Sequence, residues 1–443
     1  MTAIAAGQLL PPLCVDLDGS LVRSNLLLES VLRLISRNPW YLFRLPFWLL
    51  RGRAALQAEV AARVELNAVF LPYDTALLKL LQTEQARGRS LWLCSTAPEP
   101  LAAAIASHLG LHATVVALDA RQDPGGGRRQ RRLVSLFGEG GFEHCGGFQP
   151  GAPRWRALVR ALRPHQWAKN VLILVPLLAA HRAGNLAALG TTLLAVLAFS
   201  LCASAVYVIN DLLDLEADRG HPRKAGRPFA AGDAPIALGL LIIPVLLAAA
   251  AILATLLPGS FRLVLAVYFT LTLAYSLDLK RRVLIDVMAL AGLYTLRIIA
   301  GGAATAITLS FWLLLFSVFL FLSLALAKRY AELDDLRRQQ RLRAVGRGYQ
   351  TDDLPILRSL GTAAGYLSVL VLALYINSPE VGALYHRPRI IGLLCVAVLY
   401  WISRLWIVAQ RGALRDDPLI YALTDRVSLM TGLFASVIIA LAI

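Results

Sequence analysis

From about residue 170 to the C-terminus, apolar runs of roughly 17 to 22 residues recur between short polar stretches. A run of that length crosses a ~30 Å hydrocarbon core as a helix, whose backbone polar groups are satisfied within the segment. The pattern predicts nine spans, at about 170–187, 188–209, 234–256, 261–277, 283–303, 309–327, 356–376, 389–408 and 426–443. The first, "NVLILVPLLAAHRAG", is short and carries a proline, so eight spans also fit. Residues 1–150 are patterned differently. Short apolar runs, "PPLCVDL", "SLWLCS" and "ATVVALD", alternate there with helical stretches, the βαβ rhythm of a parallel sheet. The expected organisation is an α/β domain over 1–150, a linker and interfacial segment over 151–165 containing "QPGAPRW", and an all-α polytopic membrane domain over 166–443.

Composition supports the membrane reading. The chain is 57% hydrophobic and only 16% charged, with a mean hydropathy of +0.62. Its net charge of +16 would suit nucleic acid, but the basic residues of the membrane part gather in the loops after every second span, for example Arg223, Lys224, Lys280, Arg281, Arg282, Lys328, Arg337 and Arg338. That asymmetry orients a membrane protein, so the partner is the bilayer, not nucleic acid. It predicts a multi-pass protein of the inner (cytoplasmic) membrane with the N-terminal domain and the loop after span two on the cytoplasmic side. The five cysteines are scattered without a CxxC pair, which indicates neither disulfides nor zinc. "MTAIAAGQLLPP" lacks the basic start and long apolar core of a signal peptide. Between Asn38 and Leu56, "NPWYLFRLPFWLLRGRAAL" is aromatic, basic and apolar, and reads either as an amphipathic segment in the membrane interface or as a cap helix packed on protein.

The densest charge lies just after span two, in "NDLLDLEADRGHPRKAGRP" from Asn210 to Pro228, with four acids and four bases in nineteen residues. If the helix continues, Asp211, Asp214 and Asp218 fall within about 60° of one another, while Glu216 points away. Like charges so placed need a compensating cation. Mg²⁺, which takes one or two carboxylates plus substrate phosphates, suits them, and Asn210 adds a neutral oxygen. The loop that follows offers Arg219, His221, Arg223, Lys224 and Arg227 to the outer oxygens of a phosphate or diphosphate. A solvated loop of mutually paired charges is the bland reading. Asp286 and Arg297, inside or near span five, are costly in a bilayer and are therefore either functional or paired with each other.

Two resemblances follow. "VDLDGSLVRSN" resembles the haloacid dehalogenase-like phosphatases, in which an Asp nucleophile is followed two residues on by an acid/base Asp. Asp16 and Asp18 occupy those places, and Ser95 in "LWLCSTAPEP" that of the phosphate-binding Ser or Thr. Later elements depart from the family: "RQDPGGGRRQRR" stands where it has a lysine, and "HCGGFQP", around Gly146 and Gly147, where it has the metal-binding acid. A phosphatase needs that metal. The expectation is therefore a degenerate, non-catalytic domain with a vestigial site, unless Asp119, Asp123 or Glu143 supplies the ligand.

"NDLLDLEAD" matches the NDxxDxxxD motif of the UbiA superfamily of intramembrane prenyltransferases, and the resemblance covers about 157–443. It implies Mg²⁺ on Asp211, Asp214 and Asp218 and a diphosphate leaving group. Other members of the family carry a second Asp-rich motif after span six, where this chain reads "LAKRYAELDDLRRQQRL". That stretch, with "LRPHQWAKNVLIL", "HPRKAGRP" and "YSLDLKRRVLIDVMALAGLYTLRIIAGG", is similar to the decaprenyl-phosphate phosphoribosyltransferase branch. The branch implies 5-phosphoribosyl diphosphate as donor and a polyprenyl phosphate as acceptor. Departure of pyrophosphate from C1 of the ribose leaves an oxocarbenium-like centre, so the site must stabilise the leaving group more than activate an already anionic acceptor. Lys280 and Lys224 or Arg227 would assist, and Lys169, Lys328 and Arg329 would meet further phosphate oxygens. Tyr275 and Tyr294 would orient substrate or face the cation, the former equally an interfacial anchor. Asp425 and Arg426 have a counterpart in the branch, and helix capping explains them. The enzymatic rival is transfer of an isoprenyl group from a prenyl diphosphate to an aromatic or other small acceptor. The rival of another class is a transporter or scaffold with a cation site, against which the lack of an obvious inverted repeat counts.

Overall fold

A computed structural model describes residues 10–95, 97–117, 133–139, 141–145, 154–221, 224–340, 347–378, 385–414 and 417–443. By contacts the chain forms two compact units. One holds the residues up to Leu162 together with Tyr207–Ile243, the other Arg163–Val206 and Pro244–Ile443.

The first unit is built on a four-stranded parallel sheet in the order β3-β2-β1-β4, with β1 Leu13–Asp16, β2 Leu91–Ser95, β3 Ala113–Ala117 and β4 Glu143–Cys145. All four positions of β1 are buried, as expected of a strand covered on both faces. Helices α1 Leu26–Arg37, α2 Leu45–Leu50, α3 Arg53–Ala61, α4 Thr75–Ala86, α5 Glu99–His108, α6 (133–137) and α7 Arg154–Ala161 complete this part. Its core joins Val15, Leu21, Leu81, Leu93 and Ile105. A second apolar cluster packs Leu32 of α1 and Ala157 and Ala161 of α7 with Val208, Leu212, Phe229 and Ile236. The charge-rich stretch after span two thus shares a core with the N-terminal residues.

The remaining helices are α8 Val175–Ala179, α9 Leu186–Leu213, α10 Leu215–Arg219, α11 Ile236–Thr255, α12 Gly259–Leu277, α13 Ile285–Thr305, α14 Phe311–Arg338, α15 Leu354–Ile376, α16 Pro388–Ile391, α17 Leu393–Gln410, α18 Pro418–Thr424 and α19 Arg426–Ala442. Among the described residues seven helices are long and apolar enough to cross a membrane, and an eighth span results if α18 and α19, bent by 78°, count together. The span expected at about 170–187 is not a continuous helix. It is a 3-10 segment, Pro164–Leu174, followed by the short α8. Pro176 has no N–H to give the preceding turn, which stops the run. Conversely α14 outlasts its predicted apolar run, 309–327, by eleven residues. Asp334, bonded to Arg337 at 2.6 Å and Arg338 at 2.8 Å, carries the helix on with i,i+3 and i,i+4 pairs.

Small residues set the closest helix approaches. On α15 a Cβ at Gly361 would lie 2.1 Å from the Trp406 ring, and one at Gly365 2.6 Å from Ile402 and 2.9 Å from Ser323 Oγ. Ser323 Oγ donates to the Gly361 carbonyl at 2.7 Å and accepts from Trp406 Nε1 at 3.1 Å. This Gly-x-x-x-Gly row lets three helices meet at backbone distance.

Candidate functional site

Four groups of predicted residues are resolved. In the N-terminal sheet, β1 lies between β2 and β4, where the strand order reverses and where the carboxyl ends of such strands open a crevice. Asp16 ends β1 and Ser95 ends β2. Asp18 follows in a turn whose Gly19 has φ of 75°, a conformation a glycine adopts without strain. Ser95 Oγ donates to Asp18 Oδ2 at 3.1 Å, the Leu26 N–H donates to Asp18 Oδ1 at 3.1 Å, and His144 Nε2 lies 3.5 Å from Asp16 Oδ1. Asp18 and Ser95 therefore meet, and Asp16 ends the strand beside Ser95's. Glu143 does not join them: it pairs across the sheet with Leu13, at the other end of β1, and bonds Arg89 at 2.5 Å. Asp119, Asp123, Gly146 and Gly147 lie outside the described residues.

The second group is the acidic motif. Helix α9 ends at Leu213 and Asp214 takes φ −101° and ψ 15°, so the single helix assumed from sequence is broken into α9 and α10. The hydrogen bonds run on regardless, from Asp214 N to Asn210 O at 2.9 Å and from Asp218 N to Asp214 O at 2.8 Å. Asp211 and Asp218 are both 2% exposed and share one cation. Arg227 Nη1 donates to Asp211 Oδ1 at 3.2 Å and to Asp218 Oδ2 at 2.6 Å. Asp214, at the bend, is half-buried. Burial pushes the Asp218 carboxyl above the usual range, against the pull of Arg227 and Lys224. Among the described residues no three His, Cys, Asp or Glu side chains converge closely enough to hold a metal. Two buried carboxylates remain, and Asn210, which precedes Asp211 in the chain, has its Oδ1 buried without a hydrogen-bond partner among the described residues. That donor set fits a hard cation such as Mg²⁺, whose other positions go to water or substrate oxygens. Lys224 is half-buried in the turns that follow, with its N–H on the His221 carbonyl at 3.0 Å, and Arg223 lies outside the described residues.

Arg219, next to Asp218 in sequence, is tied to α1. Its guanidinium donates to both Glu29 oxygens at 2.9 and 2.7 Å, and its Nε to the Ala230 carbonyl at 2.8 Å. Glu29, 4% exposed, also accepts from Ser24 Oγ. Arg33 meets Glu216 at 2.8 Å, and a Cβ at Gly232, whose φ is 76°, would stand 2.6 Å from Arg23 Cβ.

In the second unit, Lys169 and Lys328 both reach Asp417 Oδ2, at 2.8 and 3.0 Å, and Tyr294 OH donates to Asp417 Oδ1 at 2.9 Å. Lys169 also sits 5.7 Å from the Tyr294 ring centre. Asp417 was not picked out from sequence: it lies 248 residues from Lys169, and its local signature is that of a cap, a role it also fills by accepting from Leu419 N at 3.2 Å. Two lysines on one carboxylate leave an excess of positive charge suited to a phosphate oxygen.

The fourth group is spread over α12 to α14 and the start of α19. Asp286 and Arg297 do not pair with each other. Arg329 Nη2 meets Asp286 Oδ2 at 2.6 Å and Tyr349 OH donates to Asp286 Oδ1 at 2.6 Å, while Arg329 also bonds Glu332. Arg297 Nε donates to Asn170 Oδ1 at 2.9 Å, its Nη2 to Tyr268 OH at 3.2 Å, and its guanidinium lies 5.1 to 5.6 Å from the rings of Phe199, Tyr268 and Tyr294. Tyr275 OH accepts from Arg347 at 3.3 Å, and Lys280 is half-buried in a one-turn 3-10 helix, Leu279–Arg281. Asp425 caps α19, accepting from Ser428 N at 2.8 Å and pairing with Arg404 at 2.7 Å, which bears out its capping role.

The fold defines a multi-pass helical membrane protein with a parallel-sheet extension and a buried acid pair. Residues 171–428 match the UbiA prenyltransferase family, and the chain belongs to it. It is 35% identical over 460 residues to the uncharacterized protein y4nM of Sinorhizobium fredii, covering 95% of this chain and 89% of that one. It is also 42% identical over 189 residues to a decaprenyl-phosphate phosphoribosyltransferase of Mycobacterium tuberculosis, covering 42% of this chain and 63% of that protein. Among solved structures, a UbiA homolog from Archaeoglobus fulgidus bound to DMAPP and Mg²⁺ aligns with 64% of this chain and 99% of its own, at 17% identity and a TM-score of 0.49.

Proposed function

We propose that the protein transfers 5-phosphoribosyl from phosphoribosyl diphosphate to a polyprenyl phosphate, releasing pyrophosphate, at the cytoplasmic face of the inner membrane. The observation that carries the reading is the buried Asp211–Asp218 pair bridged by Arg227. Two carboxylates would not stay buried and close without a cation, and the same oxygens serve a diphosphate-bound metal. The phosphoribosyltransferase relative supports the choice of donor.

In the reaction the bond from ribose C1 to the diphosphate oxygen breaks and a bond from C1 to an acceptor phosphate oxygen forms. Asp211 and Asp218, with Asn210, would hold Mg²⁺, and Asp214 at the bend is the remaining acid of the motif. Bound there, the metal would neutralise charge on the departing pyrophosphate. Arg227, 27% exposed, holds the acids together and would turn toward diphosphate oxygens, with Lys224 in the same loop. Lys169 and Lys328, gathered by Asp417, are assigned to phosphate recognition, and Lys280 to the leaving group. The ring faces of Tyr294 and Tyr275 are assigned to orienting the sugar. Asp286, Arg297 and Arg329, each paired with a buried neighbour, act by holding helices in place.

The test supplies purified protein and Mg²⁺ with labelled phosphoribosyl diphosphate and polyprenyl phosphate, and in a parallel arm with labelled prenyl diphosphate and an aromatic acid. Lipid-extractable label is expected in the first arm, reduced on the order of 10²- to 10³-fold by Asp211→Asn or Asp218→Asn. Product in the second arm alone would overturn the donor assignment.

A further inference from the structure

Between α1 and α3 the chain leaves the sheet domain in a short protrusion, a 3-10 turn Pro39–Phe43 followed by α2. Local chemistry builds it. Asn38 Oδ1 caps the turn by accepting from Trp40 N at 3.0 Å, Pro39 and Pro46 start the two helical pieces, and Gly52, at φ 100°, returns the chain into α3. The side chains then sort onto two sides. Trp48 faces inward, 7% exposed, against Leu34, Val60 and Val64, with the Arg63 guanidinium 5.0 Å from its ring. Trp40 at 76%, Phe43 at 66%, Phe47 at 68% and Leu50 at 86% face outward, with Leu42 and Leu49 also exposed.

So much contiguous apolar surface is rare on a protein that meets only water. Its surroundings state what covers it. Five arginines and no acid lie between Glu29 and Glu59, and Arg37, Arg44, Arg51 and Arg53 are exposed around the apolar tip. A complementary surface must be hydrocarbon within and anionic at its rim, which is the construction of a phospholipid leaflet carrying anionic head groups. A second copy of the patch would set arginines against arginines. The same unit also contains ends of α9 and α11, both long enough to span a bilayer, so the chain itself tethers the protrusion near one. Tryptophan settles at the head-group level, and Trp, Phe and Leu opposite Lys and Arg make up the face that an interfacial helix buries.

We propose that Pro39–Leu50 is a monotopic wedge that enters an anionic leaflet through Trp40, Phe43, Phe47 and Leu50, independently of the reaction the protein performs. The test uses the full-length chain in nanodiscs holding one copy each, with Cys145 and Cys395 replaced by serine and an environment-sensitive fluorophore placed at Leu50→Cys or Phe47→Cys. The blank is the same chain without an added cysteine, and Gln82→Cys, at an exposed position on α4, is the water-facing control. In phosphatidylglycerol nanodiscs the Leu50 and Phe47 probes should emit blue-shifted, lose at least about half their intensity to brominated acyl chains, and resist iodide several-fold better than the Gln82 probe. Arg44→Glu combined with Arg51→Glu and Arg53→Glu should abolish the difference between anionic and zwitterionic lipid. Iodide access equal to that of the control would overturn the wedge. So would protection that persists without lipid and grows with protein concentration, which would assign the patch to a second copy.

Discussion

Lys169 gains its importance from where the fold puts it. It lies in the 3-10 segment ahead of the first long apolar helix, and burial pushes its ammonium down to about 8, while Asp417 pulls it back up and Lys328 works with burial. A lysine binds a phosphate oxygen only when protonated, so the proposed recognition through Lys169 would be present below about pH 8 and would fade as the pH rises through that value. The expected outcome is an alkaline limb near pH 8 in kcat/KM, the quantity that reports the free enzyme, with a loss of roughly tenfold per pH unit beyond it. Asp417→Asn removes the group that favours the charged form and should move the limb to lower pH. A pH profile unchanged in that variant would remove Lys169 and Asp417 from phosphate binding. The lysines themselves stood out in the sequence as cations beside predicted spans. Asp417 did not, because an Asp before a Pro reads as a helix cap, and it is indeed one. The pairings of Asp286 with Arg329 and of Arg297 with Asn170 were hidden for a related reason: which face of a buried helix meets which neighbour is not written in hydropathy.

Apolar runs located the helices well because the bilayer sets their length, but they measure the crossing part alone. Helix α14 continues as a charged helix, and the Pro164–Ala179 stretch is apolar without being one span. The break at Asp214 was equally invisible, since the backbone bonds on either side persist. The Gly361-x-x-x-Gly365 row was not singled out in the sequence, and its purpose emerges from the distances. Gly361→Ala would push a methyl group into the Trp406 ring and the Leu326 side chain, an overpacking worth about 1–3 kcal/mol. Gly292, on α13, has nothing within 4 Å of its missing Cβ, so Gly292→Ala should be neutral or slightly stabilising through helix propensity. Thermal unfolding of the two variants in detergent separates them: a lower midpoint is expected for Gly361→Ala only. Equal midpoints would mean that α15 and α17 can move apart without loss.

For the molecule as a whole, the sequence suggested two regions joined by a linker, whereas contacts group Tyr207–Ile243 with the N-terminal residues. The contacts that do so are the Glu29–Arg219 pair, 190 residues apart in sequence, and the apolar cluster that joins Leu32 and Ala157 to Val208, Leu212 and Phe229. The relative that shares 95% of this chain's length shares both regions. Arg219 follows Asp218 directly, and its other hydrogen bond, to Ala230, closes the loop that brings Arg227 back onto the acids. Glu29 is therefore a positioning residue for the acidic motif. In Glu29→Ala a buried guanidinium loses its charged partner and both of that partner's hydrogen bonds, a change that costs about 3–5 kcal/mol when the pair is buried. The loosening should concentrate in the loop. Hydrogen exchange of Lys224–Ala234 is expected to speed up by at least tenfold, with the amides of β1 and β2 unchanged and kcat/KM for the donor reduced. Glu29→Gln, which keeps hydrogen-bonding shape without charge, should fall between the variant and the parent. Uniform acceleration across the sheet as well would show that Glu29 supports the domain's stability and does not set the loop.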